Sequence, residues 1–309
     1  MKASDFSYVL GNFAREFITN PRPMARECAR FFRQGILRTF EKMPNGILFE
    51  THCHTDFSSV DKGCPELSDV IDLISGNGIG IISITDHGNT NAFDSLRNGS
   101  YDLNRKRNSR EYELETSKDG RYLVIHVHGT SVEHLLLRSA EYKTDKGEVG
   151  LHGFEGTLPR EGMPLEDTIK RTSDNGGWVN IHHPYFMTGL GFNGKKYIET
   201  AVKAGAIAIE KNGTEIPPQI YSPVRAEMDA KDFGISLVYG GDAHRLHMYG
   251  MSGIAFMSDD FAEVLGRNND NYADAVKELV AKGYFKGYFN YITPKQWKEF
   301  FLNKPLSAK

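Results

Sequence analysis

The stretch GILFETHCHTDFSSVDKG, residues 46–63, sets the reading of the whole chain. It begins as a short apolar strand and ends in polar residues, with His52 and His54 two positions apart. Alternate side chains of a strand point the same way, so both imidazoles can converge on one point. Imidazole is the commonest ligand for zinc and also suits iron and manganese. Asp61, seven residues after His54, adds a hard oxygen donor.

The same pattern repeats outward from this stretch. SDVIDLISGNG is a helix ended by glycine, and the apolar run Ile79–Thr85 is the next strand, closed by Asp86 and His87. Further units are YLVIHVHG, WVNIHHP after LEDTIKRTSDNGG, IAIEKNG after YIETAVKAGA, and ISLVYGGDAH after MDAKDFG. Helices ended by glycine and followed by near-continuous apolar strands argue for buried parallel strands in a barrel or a doubly wound sheet. The polar clusters fall at strand C-termini, where such folds place their active sites. His52 with His54, His87, His182 with His183, and Asp242 with His244 thus come from strand ends spread over the chain.

Composition narrows the classes. The 309 residues are 39% hydrophobic and 25% charged, enough for a sizeable core, and the net charge of −3 gives no global argument for nucleic acid. No run of 18 apolar residues exists, so no membrane span is expected. An N-terminus carrying acids and aromatics is unlike a signal peptide, and three cysteines without CxxC spacing fit a reducing compartment; both point to the cytoplasm. All eleven histidines lie between His52 and His247. Residues 1–45 read as a helical N-terminal extension broken at Pro21 and Pro23, with eight Lys or Arg against four Asp or Glu. Residues 256–309 read as a helix followed by an aromatic, basic tail packed on the barrel.

ETHCHTDFSSVDKG, IISITDHGNTNAF, VNIHHPY, AIEKNG and VYGGDAH together resemble, in order and spacing, the polymerase-and-histidinol-phosphatase (PHP) superfamily of metal-dependent phosphoesterases. The resemblance covers residues 46–255 and implies a distorted seven-stranded (β/α) barrel with two to three divalent ions (zinc, manganese or iron) at the strand C-termini. Carried over by position, His52, His54 and Asp242 would hold one ion, His183 a second, and Asp61, His87 and His244 a third. The family also needs a bridging glutamate and a further histidine. The preferred assignment is Glu133 and His152, the latter 31 residues before His183. The competing pair is Glu113 and His126, with Glu113 only 26 residues after His87 but preceded by the polar RKRNSRE. His134, His128 and His247 receive no role.

Ions in such a site would make hydroxide from water at neutral pH, so no serine or cysteine nucleophile is required. His182 could pass a proton to the leaving group, and Lys211 and Arg245 could grip a phosphate. The expected activity is hydrolysis of a phosphomonoester or phosphodiester: a phosphorylated small molecule, a nucleotide or a short nucleic-acid end. Lys282, Lys286, Lys295, Lys298 and Lys304 in the tail keep the last possible. The alternatives are a non-catalytic PHP scaffold and a metal-dependent hydrolase of the amidohydrolase kind.

Overall fold

A computed structural model describes residues 46–105, 110–212 and 221–288. The helical extension expected over residues 1–45, and Lys295, Lys298 and Lys304, lie outside them. The chain runs β1 (Gly46–Cys53), α1 (Leu67–Asn77), β2 (Ile79–Ile84), α2 (Asn91–Arg97), β3 (Tyr112–Thr116), β4 (Tyr122–Val127), β5 (Glu133–Leu137) and β6 (Ser139–Lys143). It continues through β7 (Glu148–His152), α3 (Leu165–Asp174), β8 (Trp178–Ile181), α4 (Lys195–Ala204), β9 (Ala208–Asn212), α5 (Tyr221–Phe233) and β10 (Ser236–Gly240). It closes with β11 (Gly253–Met257), α6 (Ser258–Arg267), α7 (Tyr272–Lys282) and β12 (Lys286–Tyr288).

Helix α1 shows why these segments fold as they do. Leu67, Val70, Ile71 and Ile74 recur at the helical repeat and are fully buried. Each such side chain contributes about 1.5–3 kcal/mol by leaving water. Gly78 ends the helix in the left-handed conformation, φ 69°, which a glycine adopts without steric cost. Helix α7 is delimited the same way: the Asn271 side chain accepts from the Asp274 amide, and Gly283 closes the far end at φ 66°.

The strands form two sheets. One has the order β12-β11-β1-β2-β5-β4-β3, the other β10-β9-β8-β7-β6. β1, β2 and β5 run parallel, as do β8, β9 and β10, whereas β7 is antiparallel to both β6 and β8. A continuously hydrogen-bonded closed barrel is not formed among the described residues. The sheets meet instead through isolated bridges, Cys53 to Ala243 and His87 to Glu141. The register supplies the reason. β5 pairs with β2 through Leu135–Leu137, and the chain then breaks at Arg138 and continues as β6 on the other sheet. Arg138 is buried at the break, its guanidinium on Asp94, Thr90 and the Gly156 carbonyl.

The boundary expected at residue 256 falls inside β11. That strand pairs with β1 from Gly46↔Met257 to Phe49↔Ile254 and with β12 on its other side, so β11 and β12 are strands of the larger sheet. Trp178, Phe49 and Phe256 are among the largest side chains in the core, and Phe49 and Phe256 stack across the β1–β11 pair. No described helix is long and apolar enough to cross a membrane.

Candidate metal centre

Strand β1 delivers the first ligands by simple alternation. Glu50, His52 and His54 are fully buried on one side, while Cys53 turns to the opposite face with its thiol on the Ser83 carbonyl. His52 Nε2 and His54 Nε2 lie 3.1 Å apart, and both face Asp242 Oδ1 at 3.4 and 3.2 Å. Asp242 stands in the turn after β10 with φ 44°, a left-handed conformation costly for a non-glycine residue. That turn is tied to β1 by the His54 amide on the Ala243 carbonyl and by the Tyr249 hydroxyl on the His54 carbonyl.

A second convergence lies alongside. Asp61 Oδ2 is 3.1 Å from His87 Nε2 and 3.2 Å from His244 Nε2. Ser58 Oγ donates to the same oxygen, and Arg245 Nη1 fastens this loop to its neighbour through the Gly63 and His244 carbonyls. Asp86, next to His87, accepts from the Thr55 amide and hydroxyl and so joins the loops after β1 and β2.

Glu141, on β6, is the hub. Its Oε1 lies 2.8 Å from His183 Nε2, 3.0 Å from His182 Nδ1 and 3.4 Å from His52 Nε2. Its Oε2 lies 3.2 Å from His87 Nδ1 and 3.5 Å from His54 Nε2. One buried carboxylate therefore touches five imidazoles. Glu148, the first residue of β7, completes a third convergence with Glu141 and His183, its Oε2 3.7 Å from His183 Nε2. Glu210 on β9 braces the cluster from below. It takes the His52 Nδ1 proton at 2.9 Å and accepts from the His183 amide at 2.8 Å, which leaves His52 Nε2 free to face the centre. Gly240 makes room for it, since a Cβ there would sit 1.7 Å from Glu210 Oε1.

The electrostatics follow from crowding charges where water is excluded. Burial alone would raise the carboxyl of Glu141, but His52, His183 and His87 outweigh it and hold it well below the usual range. Asp242 is held low in the same way by His244 and His52. Burial lowers His183 and His87, yet Glu141 prevails and raises them to about 10 and about 9. His54, dominated by burial, is pushed down to about 3 and stays a neutral imidazole.

No protein-family model and no curated protein matches the chain. Solved structures do. A two-domain protein from Bacteroides vulgatus ATCC 8482, containing a predicted PHP-like metal-dependent phosphoesterase, is similar with TM-score 0.52 and 14% identity, over 85% of this chain and 71% of that one. PsfC from Pseudomonas syringae PB-5123 is similar with TM-score 0.50 and 17% identity, over 69% and 82%. The lesion-specific endonuclease PfuEndoQ from Pyrococcus furiosus gives 0.49 and 14% over 68% and 52%. The chain has a PHP-like fold.

Within that PHP-like fold, His52, His54, Asp61, His87, His183, Asp242 and His244 come together. Two expected ligands do not. Glu133 opens β5 on the extension β3–β4–β5, where it is exposed and pairs with His126 Nδ1 at 3.2 Å. The competing Glu113 and His126 sit opposite each other on that extension, equally remote. His152 is buried one layer below the centre, bound to Ser83 Oγ and Asn180 Nδ2 and stacked on Trp178. The residues that sequence reasoning missed are Glu141, Glu148 and Glu210. Glu141 carried a signal, an acid inside the apolar run LLLRSAEY.

The remaining candidates are placed as follows. His182 is buried within the cluster, stacked on His52 with ring centres 3.8 Å apart, and forms a candidate ligand group with His52 and Glu141. Lys211 points away from the centre, to Glu227 of α5 and the Tyr239 ring, because its neighbours Glu210 and Asn212 take the inner face of β9. Arg245 spends Nη1 on loop carbonyls. His134 donates Nδ1 to the Ile79 carbonyl in the core, and His128 is exposed beside Glu111. Glu133→Gln and Lys211→Ala are accordingly expected to leave metal content unchanged and to shift stability by no more than about 0.5 kcal/mol. Elemental analysis and thermal melts check both.

Proposed function

We propose that the chain is a metal-dependent phosphoesterase that cleaves a phosphomonoester or phosphodiester with water activated by two to three divalent ions. The observation carrying this reading is the placement of Glu141 in two of the four candidate ligand groups, with its second oxygen facing His87 and His54 of the others. Glu141 Oε2, His54 Nδ1, His182 Nε2 and His183 Nδ1 are buried without hydrogen-bond partners, as expected of a polar centre built around something other than its own side chains. The mixture of imidazole and carboxylate fits zinc, manganese or iron. The candidate groups are His52, His54 and Asp242; His52, Glu141 and His182; Glu141, Glu148 and His183; and His54, Asp61, His87 and His244. A neutral imidazole has one free lone pair, so His54 serves the first set, towards which its Nε2 faces.

This reading treats β1, β2, β6, β7, β8, β9 and β10 as one distorted seven-stranded barrel. The bridges Cys53–Ala243 and His87–Glu141 support it, for they are where ring neighbours approach.

Divalent ions held there supply Lewis acidity, lowering the pKa of water and neutralising phosphoryl oxygens. The chain supplies orientation. Glu210 keeps the His52 proton on Nδ1, His182 donates Nδ1–H to Glu141, and the Asp61 loop is stapled by Arg245. Neither cysteine among the described residues supports thiol chemistry: Cys53 is turned away, and burial pushes the Cys64 thiol up. With Lys211 facing outward, the substrate charge falls mainly on the ions as far as the described residues go. That favours a small phosphate ester or nucleotide over a long polyanion, whose binding needs clustered basic side chains.

The test is elemental analysis of purified protein with hydrolysis of p-nitrophenyl phosphate and bis-p-nitrophenyl phosphate on the same sample. Two to three equivalents of transition metal, with turnover lost in His54→Ala, is the expected result. Less than one equivalent and no turnover after supplying manganese or zinc would overturn it and favour a non-catalytic scaffold.

A further inference from the structure

Apolar side chains stand in water around the metal centre. Eight large ones are exposed among the described residues, and four of them, Val60, Met187, Phe192 and Leu246, lie on the segments that carry Asp61, His183 and His244. Single apolar residues scattered over a surface are ordinary; a set gathered around one polar centre marks a place where a ligand binds. His87, beside Asp61, and His183 both reach Glu141, at 3.2 and 2.8 Å, so the two sides of this rim are one carboxylate apart.

Phe186 joins the rim to a ligand. Its ring stands edge-to-face to the His183 imidazole, with ring centres 5.6 Å apart, and it is half-buried. Its neighbour Tyr185 turns inward: the hydroxyl donates to Asp229 of α5, and the Arg225 guanidinium covers the ring at 4.0 Å. Phe186 is left at the surface, and the loop holds it there. The Phe186 amide donates to the His183 carbonyl at 2.9 Å, the Gly189 amide to the Phe186 carbonyl at 2.9 Å, and the Phe192 amide to the Pro184 carbonyl at 3.0 Å. A Cβ on Gly189 would meet the His183 carbonyl at 2.3 Å, and one on Gly191 the Tyr185 ring at 2.7 Å, so this winding needs glycine. Part of an aromatic face therefore stays in water beside a metal ligand, and a flat ring laid on it would remove that area from water.

We propose that Phe186 is the platform of a leaving-group subsite, and that the substrate is a phosphate ester whose alcohol carries a flat aromatic ring. The inference rests on the phosphoesterase reading and adds the substrate class. Hydrolysis joins the water oxygen to phosphorus, breaks the bond from phosphorus to the ester oxygen and leaves one water proton on that oxygen; the ring departs with the alcohol. The rim selects by shape rather than charge, since Lys211 faces Glu227 and Arg245 is tied to loop carbonyls.

The test compares AMP with ribose 5-phosphate, which carry the same phosphate on the same carbon and differ in the base. Calorimetry on the full chain loaded with manganese or zinc measures binding. Hydrolysis of p-nitrophenyl phosphate and bis-p-nitrophenyl phosphate is followed on the same sample. AMP should bind at least about tenfold more tightly, a difference of about 1.4 kcal/mol. Phe186→Leu keeps apolar cover over His183 and removes the flat face, so the two affinities should come within about twofold at unchanged metal content. Phe186→Trp should keep the preference. Val132→Ala, on the turn before β5 at the opposite end of the parallel strands, should leave it unaltered. Equal affinities in the unmodified protein, or a preference untouched by Phe186→Leu, would overturn the subsite and leave the phosphoesterase reading standing if either nitrophenyl ester turns over. Metal lost from Phe186→Leu would show the ring to be a cover for His183 and would overturn it too. A preference for AMP with no ester turned over would overturn the phosphoesterase reading, and the leaving-group role with it.

Discussion

Glu141→Gln is expected to reduce phosphoester hydrolysis by about a thousandfold, a loss of about 4 kcal/mol at the transition state. The glutamine keeps the shape of the side chain but exchanges a charged oxygen for an NH2 donor. That donor would face imidazole nitrogens 2.8–3.5 Å away, two on one side and three on the other. No other carboxylate among the described residues touches five imidazoles, so no neighbour can replace it. Metal content should fall to one equivalent or less. The ion-free protein should also lose stability, because the buried imidazoles raised by Glu141 lose their counter-charge and are driven by burial to give up their protons; removing one partner of a buried ion pair costs about 3–5 kcal/mol. Elemental analysis, turnover and a thermal melt on one preparation check all three effects. Full metal content and turnover in Glu141→Gln would sink the hub assignment.

The second large effect is on pH. His183 and His87 are raised in the ion-free protein to about 10 and about 9, against an unfolded value near 6.5. A raised folded value means stability that is fully present below pH 6.5 and lost as the pH climbs through 9 and 10. A protonated imidazole cannot ligate, so each ion entering must displace these protons. Each proton displaced makes the apparent affinity of the ion that displaces it rise about tenfold per pH unit between pH 6.5 and 9. The melting difference between metal-loaded and chelated protein should therefore widen steadily from pH 6.5 to 9. Calorimetric titration in two buffers of different ionisation enthalpy should count at least two protons released per chain at pH 7, since His52 and His244 are raised as well. His54, held neutral by burial, adds nothing to that count. Metal binding without proton release would show the imidazoles to be neutral beforehand.

Much of the site was legible because a parallel strand delivers its polar residues at its C-terminal end. His52, His54, His87, His183, Asp242 and His244 all follow an apolar run directly, and alternation alone pairs His52 with His54. The helix ends at Gly78 and Gly283 were legible for an equally local reason. The failures share a different cause. β7 runs against its neighbours, so its first residue, Glu148, reaches the centre, and its last, His152, lies deep below it. A rule that looks at strand C-termini selects the wrong end of an antiparallel strand. Glu133 misled because β3, β4 and β5 extend the sheet sideways from β2, so spacing counted along the chain passes through a detour before returning at Glu141. Lys211 faces outward because the period of two places Glu210 and Asn212 inward. Closure of the strands was the least legible feature: Arg138 and Ser139 interrupt the apolar run LLL, but a polar pair does not say that the chain changes sheet there.

That break gives the molecule a seam. His52, His54, Asp61 and His87 hang from the larger sheet, while Glu141, Glu148, His183, Asp242 and His244 hang from the smaller. Between them run isolated bridges rather than a full ladder. Ions at the centre would rivet the two halves across a span of nearly two hundred residues, much as a covalent cross-link closes a long loop. Stripped of them, the protein would breathe first along this line, with amides at Ala243 and Glu141 exchanging well before those of β11 and α7.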